Sequence, residues 1–122
     1  MSARPSAADL PGLAAHVAAF VAERDWEQFH SPKNLAMSVA IEAAELMEVF
    51  QWLDPQQAER VGDDPVLRKA VEEEAADVFA YLLSLSNRVG FDLGAALLAK
   101  MERNAVKYPA DQFRGRSGRR EP

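Results

Sequence analysis

The first chemical signal in this chain comes from four carboxylates: Glu42 and Glu45, three residues apart, and Glu74 and Asp77, again three apart. Side chains three or four apart share a helix face, so each pair projects in one direction. Glu42 and Glu45, with Ser38, Glu48 and Gln51, interrupt a run from Leu35 to Trp52 that is otherwise apolar and holds no Lys or Arg. An ionised carboxylate in such a setting is costly unless a counter-charge or a metal compensates it. Glu74 and Asp77 repeat the device ahead of a second apolar run, and two helices that each present a carboxylate pair make a cage. Its donors are all oxygens and the chain contains no cysteine, a set that suits Mg²⁺, with Mn²⁺ as a substitute. A di-iron bundle needs Glu-x-x-His on two helices, whereas these pairs are Glu-x-x-Glu and Glu-x-x-Asp. Magnesium retains waters and binds few carboxylates together with substrate phosphates, which points to a diphosphate or triphosphate ligand. Either pair alone also fits a solvated helix face, the reading given to Glu48, Glu72 and Glu73.

Other residues surround the expected cage. Tyr81, four residues after Asp77 and seven after Glu74, falls on the same stripe, and Trp52 stands seven after Glu45. A flat aromatic ring stacks on any nucleobase, although each ring taken singly also fits a hydrophobic core. Trp26 is a third candidate ring, with His30 in the turn after it. Lys100, Asn104 and Lys107 form one polar stripe opposite Leu97, Leu98 and Met101; the spacing fits equally a wet face or a set of donors to phosphate and sugar oxygens.

The elements that must hold these groups are marked by capping residues. Ser31-Pro32, Asp54-Pro55 and Asp64-Pro65 each place a capping side chain before a proline, which at the first helical position loses no intrahelical bond. The expected helices run over residues 10–27, 32–53, 55–60, 65–88 and 93–108, with Gly90 ending the fourth and Asp92 capping the fifth. No segment alternates with the turn signals of a hairpin, so the fold expected is all-α: a compact bundle of four main helices plus a short connecting one. The second helix is apolar nearly all round and therefore needs cover nearly all round. One small domain supplies too little, so an oligomeric core shared with a partner subunit is expected.

Composition agrees with a folded, water-soluble domain: 122 residues, 48% apolar and 27% charged. The absence of cysteine gives no reason to invoke an oxidising compartment, and the cytoplasm is the default. No segment has the length and apolarity of a membrane span. Net charge is −5, and residues 109–122 concentrate Arg114, Arg116, Arg119 and Arg120 against Asp111 and Glu121, which leaves the body more acidic still. Such a body repels a polynucleotide backbone yet accepts a small anionic ligand where metal ions neutralise the field. Residues 1–108 are read as the domain and 109–122 as a disordered, solubilising arginine-rich tail.

The run from Glu23 to Leu35, ERDWEQFHSPKNL, resembles the opening of the dCTP pyrophosphatase branch of the MazG-like, all-α nucleotide pyrophosphohydrolases. Glu42-x-x-Glu45 with Phe50-Gln51-Trp52, then Glu73-Glu74-Ala75-Ala76-Asp77-Val78 with Tyr81-Leu82, then Lys100-Met101 with Asn104 and Tyr108-Pro109 follow in the same order. The likeness extends roughly from Phe20 to Pro109, with Ala76, Phe79 and Ala80 standing where the family has other apolar residues. It implies a dimer or a tetramer of paired dimers, Mg²⁺ held by Glu42, Glu45, Glu74 and Asp77, and hydrolysis of a (deoxy)nucleoside triphosphate, dCTP or a modified dCTP, to monophosphate and pyrophosphate. It further implies that Trp26, His30 and Trp52 contact the base, and Tyr81, Lys100 and Asn104 the sugar and phosphates. Glu45 is the expected base toward the attacking water. Sister branches would turn the same fold to dUTP or a phosphoribosyl-ATP-like substrate, and a non-catalytic oligomerisation module is the reading outside enzymology.

Overall fold

A computed structural model describes residues 4–116 of the chain. The capping signals act as the sequence implies. Ser31 accepts from the Asn34 amide at 3.1 Å to start α2 (Pro32–Gln51). Asp54 and Gln57 exchange hydrogen bonds of 2.8 and 3.0 Å in a capping box that opens the short α3 (Pro55–Glu59). Asp64 accepts from Val66 and Leu67 at the start of α4 (Pro65–Val89). Ahead of these, Asp9 caps α1 (Leu10–Glu23) through the Gly12 amide. Asp92 caps α5 (Leu93–Lys107), and a single turn, α6 (Ala110–Phe113), follows. Gly90 ends α4 at φ 91°, a left-handed position that glycine adopts without steric cost. Among the described residues there is no strand, and four long and two short helices make the fold all-α.

Two helix ends depart from the sequence expectation by two residues or more. The first helix ends at Glu23 instead of residue 27, because Asp25 turns into the left-handed region at φ 54° and the Trp26 amide bonds back to the Val21 carbonyl at 3.1 Å. The reversal seats the Trp26 ring edge-on against Phe20, centroids 5.7 Å apart, while Arg24 lies 3.7 Å over the other partner of that stack, the Phe20 ring. A 3₁₀ turn, Glu27–Phe29, then leads to α2, tied by the Asn34 side chain to the Phe29 carbonyl. α2 ends two residues earlier than expected, with Trp52 as its cap.

The chain divides into two compact units, one up to Gly90 and one from Phe91. In the first, α4 is the spine against which α2 and α1 pack. Leu35 of α2 and Leu83 of α4 are the most buried apolar side chains, 1% and 2% exposed, joined in the core by Val21 and by Val61 of a second 3₁₀ turn, Val61–Asp63. The Asn87 side chain adds a 2.9 Å bond from α4 to the Ala14 carbonyl of α1. Met37, Ile41 and Met47 stay exposed on α2. In the second unit the ring of Phe113 packs edge-on against Tyr108 at 5.1 Å, and residues 110–113 of the expected tail are thus a helical turn. Arg119 and Arg120 lie outside the described residues. No helix among the described residues is long and apolar enough to cross a membrane.

Candidate metal centre

The packing of α2 on α4 turns the two carboxylate pairs toward each other. One oxygen from each of Glu42, Glu45, Glu74 and Asp77 lies within 4.8 Å of those of the other three. No ion pair reaches any of the four among the described residues; the neighbouring Glu72 and Glu73 instead meet Arg68 and Lys69 one turn back, at 3.1 and 3.4 Å on the wet face of α4. Adjacent residues Glu73 and Glu74 thus have opposite environments because successive helical positions diverge around the axis.

Within the cage, one buried oxygen of Glu42 and one of Glu74 have no hydrogen-bond partner. Buried polar atoms are nearly always satisfied, so two orphaned carboxylate oxygens facing a further pair of acids require a cation or a proton. The titration behaviour agrees. A hydrogen bond shared with Glu45 holds the proton on Glu42 and, with burial and repulsion from Glu45, Asp77 and Glu74, raises its pKa from 4.5 to about 7. Burial, then the charges of Glu45 and Asp77, raise Glu74 as well. Burial and the charges of Glu42, Asp77 and Glu45 push the Tyr81 hydroxyl up. Oxygen-only donors, unsatisfied and mutually repelling, fit a hard divalent cation.

Beside Asp77 opens a cavity of about 260 Å³ lined by Trp26, His30, Tyr81 and Phe20, with Ala80 and Ser84 on the α4 wall. The rings of His30 and Tyr81 are 6.2 Å apart and tilted by 50°. Three of the residues expected to contact a nucleotide therefore gather next to the carboxylates. Trp52 does not join them: it stands 86% exposed at the end of α2. Lys100 and Asn104 lie on α5 in the second unit, Asn104 donating to the Met101 sulfur at 3.9 Å and Lys107 turned over the Tyr108 ring. A second cavity, of about 300 Å³, is lined by Glu27, His30, Ser84, Asn87 and Arg88. Sequence reasoning passed over Phe20, Ser84, Glu27 and Arg88. Ser84 and Arg88 carry a signal in retrospect, since they continue the Asp77–Tyr81 stripe at helical spacing.

Residues 37–119 match the model of the MazG-like family, a span that holds all four carboxylates. The chain belongs to the MazG-like family. It is 42% identical over 116 residues to human dCTP pyrophosphatase 1 and 40% over 114 residues to the bovine protein of the same name, covering 95% and 93% of this chain. In both comparisons it spans 66% of the relative's length. The crystal structure of a pyrophosphatase from Archaeoglobus fulgidus superposes with a TM-score of 0.74 at 36% identity, over 88% of this chain and 99% of that one.

Proposed function

We propose that this MazG-like chain is a Mg²⁺-dependent nucleoside triphosphate pyrophosphohydrolase, with Mn²⁺ as a substitute, acting on dCTP or a modified dCTP to release the monophosphate and pyrophosphate. The observation that carries the proposal is the facing of Glu42/Glu45 on α2 and Glu74/Asp77 on α4 with two orphaned buried oxygens. Similarity to proteins named dCTP pyrophosphatase 1 supports the substrate. The role is housecleaning of the nucleotide pool.

Glu42, Glu45, Glu74 and Asp77 would hold the cation, which when bound neutralises the triphosphate and acidifies its water. Glu45 takes the proton of the attacking water onto a carboxylate oxygen; the water oxygen bonds to the α-phosphorus and the bond to the bridging oxygen breaks as pyrophosphate leaves. Trp26, His30 and Tyr81 border the base and sugar in the adjoining cavity. Trp52, exposed in a single chain, would close over a base from a second subunit of a homodimer or homotetramer, in which the uncovered faces of Met37, Ile41 and Met47 find partners. Lys100 and Asn104 are assigned to phosphate and sugar through the family likeness. Residues 1–108 would then work as one catalytic domain in the cytoplasm, with 109–122 a solubilising extension.

A nucleotide panel with Mg²⁺, read by pyrophosphate release and thermal shift with chelator controls, tests the proposal. Release from dCTP that is abolished by chelation is expected; neither release nor stabilisation with any nucleotide would leave a helical oligomerisation module in its place.

A further inference from the structure

The two cavities of the first unit share Val21, His30 and Ser84, so together they line one stripe of α4 through Asp77, Tyr81, Ser84 and Arg88. Eleven residues of helix separate Asp77 from Arg88, a rise of about 16 Å. The acidic end of that stripe belongs to the cation and phosphates and the aromatic middle to flat groups, which leaves the far end for the polar edge of whatever is stacked. There Glu27 and Arg88 line the same cavity without an ion pair between them. Asn87 lines the cavity as well, one N–H of its amide tied to the Ala14 carbonyl at 2.9 Å, which leaves Arg88 as the charged donor there.

We infer that Glu27 and Arg88 select the base, Glu27 accepting from the exocyclic amine of cytosine and Arg88 donating to its ring carbonyl. The assignment rests on the nucleotide reading proposed above. An acceptor and a donor side by side complement an amine and a carbonyl on one edge, and a carboxylate facing that amine is a recurrent reader of cytosine. Uracil and thymine present a carbonyl where cytosine has the amine, so Glu27 would confront an acceptor with a second acceptor. Arg88 meets a carbonyl common to all three pyrimidines and contributes affinity without choosing among them.

The test compares wild type, Glu27→Gln and Arg88→Met in two readouts: calorimetric binding of dCMP and dUMP in chelator, which requires no cation, and kcat/KM for dCTP and dUTP with Mg²⁺. Wild type should favour the cytosine compounds by on the order of 10- to 100-fold. Glu27→Gln, whose amide both accepts and donates, should bring both ratios close to one; Arg88→Met should weaken cytosine and uracil ligands together, through affinity and KM. Glu72→Gln, on the wet face, is the control for charge. A Glu27→Gln protein that keeps the wild-type ratios, or a wild type without cytosine preference, overturns the assignment while leaving the hydrolase intact. A wild type inert toward all nucleotides fails at the parent reading instead and takes this one with it.

Discussion

Replacing Glu42 by Gln should make the metal-free protein more stable and the metal-loaded protein less so. The side chain has the same shape, and its amide donates to the carboxylates that repel Glu42. Raising a carboxyl from 4.5 to about 7 costs its charged form of order 3 kcal/mol at about 1.36 kcal/mol per pH unit, reduced to about 1–2 kcal/mol for a group that water still reaches. Because the folded pKa lies above the unfolded one, the folded state binds the extra proton. The associated stability is fully present below pH 4.5 and is lost as pH rises through about 7. In chelator, wild type should therefore lose Tm between about pH 5 and 8, while Glu42→Gln, in which Glu74 alone of the two keeps its raised pKa, loses less over that range and melts higher at pH 8 by about 4–8 °C. Saturating Mg²⁺ at about a hundred times Kd should raise the wild-type midpoint by about 2.7 kcal/mol, or roughly 10 °C, and should do far less for the variant. Scanning fluorimetry across pH with and without Mg²⁺ supplies all four curves. A variant that melts below wild type at pH 8 in chelator, and gains as much from Mg²⁺, would refute the repulsive cage.

Glu45→Gln should lower pyrophosphate release by on the order of 10²- to 10⁴-fold, the usual contribution of a positioned base, with the circular dichroism of the folded protein retained. Glu73→Gln, one residue from the cage but paired with Lys69 in solvent, should change stability by less than about 0.5 kcal/mol and leave turnover within a few-fold. Gly90→Ala places a side chain at φ 91° where space is free but the backbone conformation is not, and should cost about 1 kcal/mol or more in urea unfolding without altering Mg²⁺ binding. Trp26→Ala removes the ring stacked on Phe20 and should weaken nucleoside monophosphate binding in calorimetry by at least about tenfold.

Capping chemistry made the helix starts readable from sequence, because a side chain that satisfies an orphan amide acts over three residues and needs no distant partner. Ser31, Asp54, Asp64 and Asp92 each do so. The grouping of Glu42 with Glu45 and of Glu74 with Asp77 was readable for the same reason, since helical period alone decides which side chains share a face. The early end of α1 was not: Asp25 is no glycine, and its left-handed turn is held by the return of Trp26 to Val21 and Phe20. Nor could local spacing bring the α2 pair within 4.8 Å of the α4 pair, set Trp52 apart from the Trp26–His30–Tyr81 cavity, or put Glu27 and Arg88 on one wall. Which face of α2 meets which face of α4 depends on the burial of Leu35 and Leu83, a choice made between segments distant in the chain. The sequence by itself determined that two helices carry paired oxygen donors in apolar surroundings; only tertiary packing decided that the pairs confront one another, because the core holds four mutually repelling carboxylates at a range where they could share a cation.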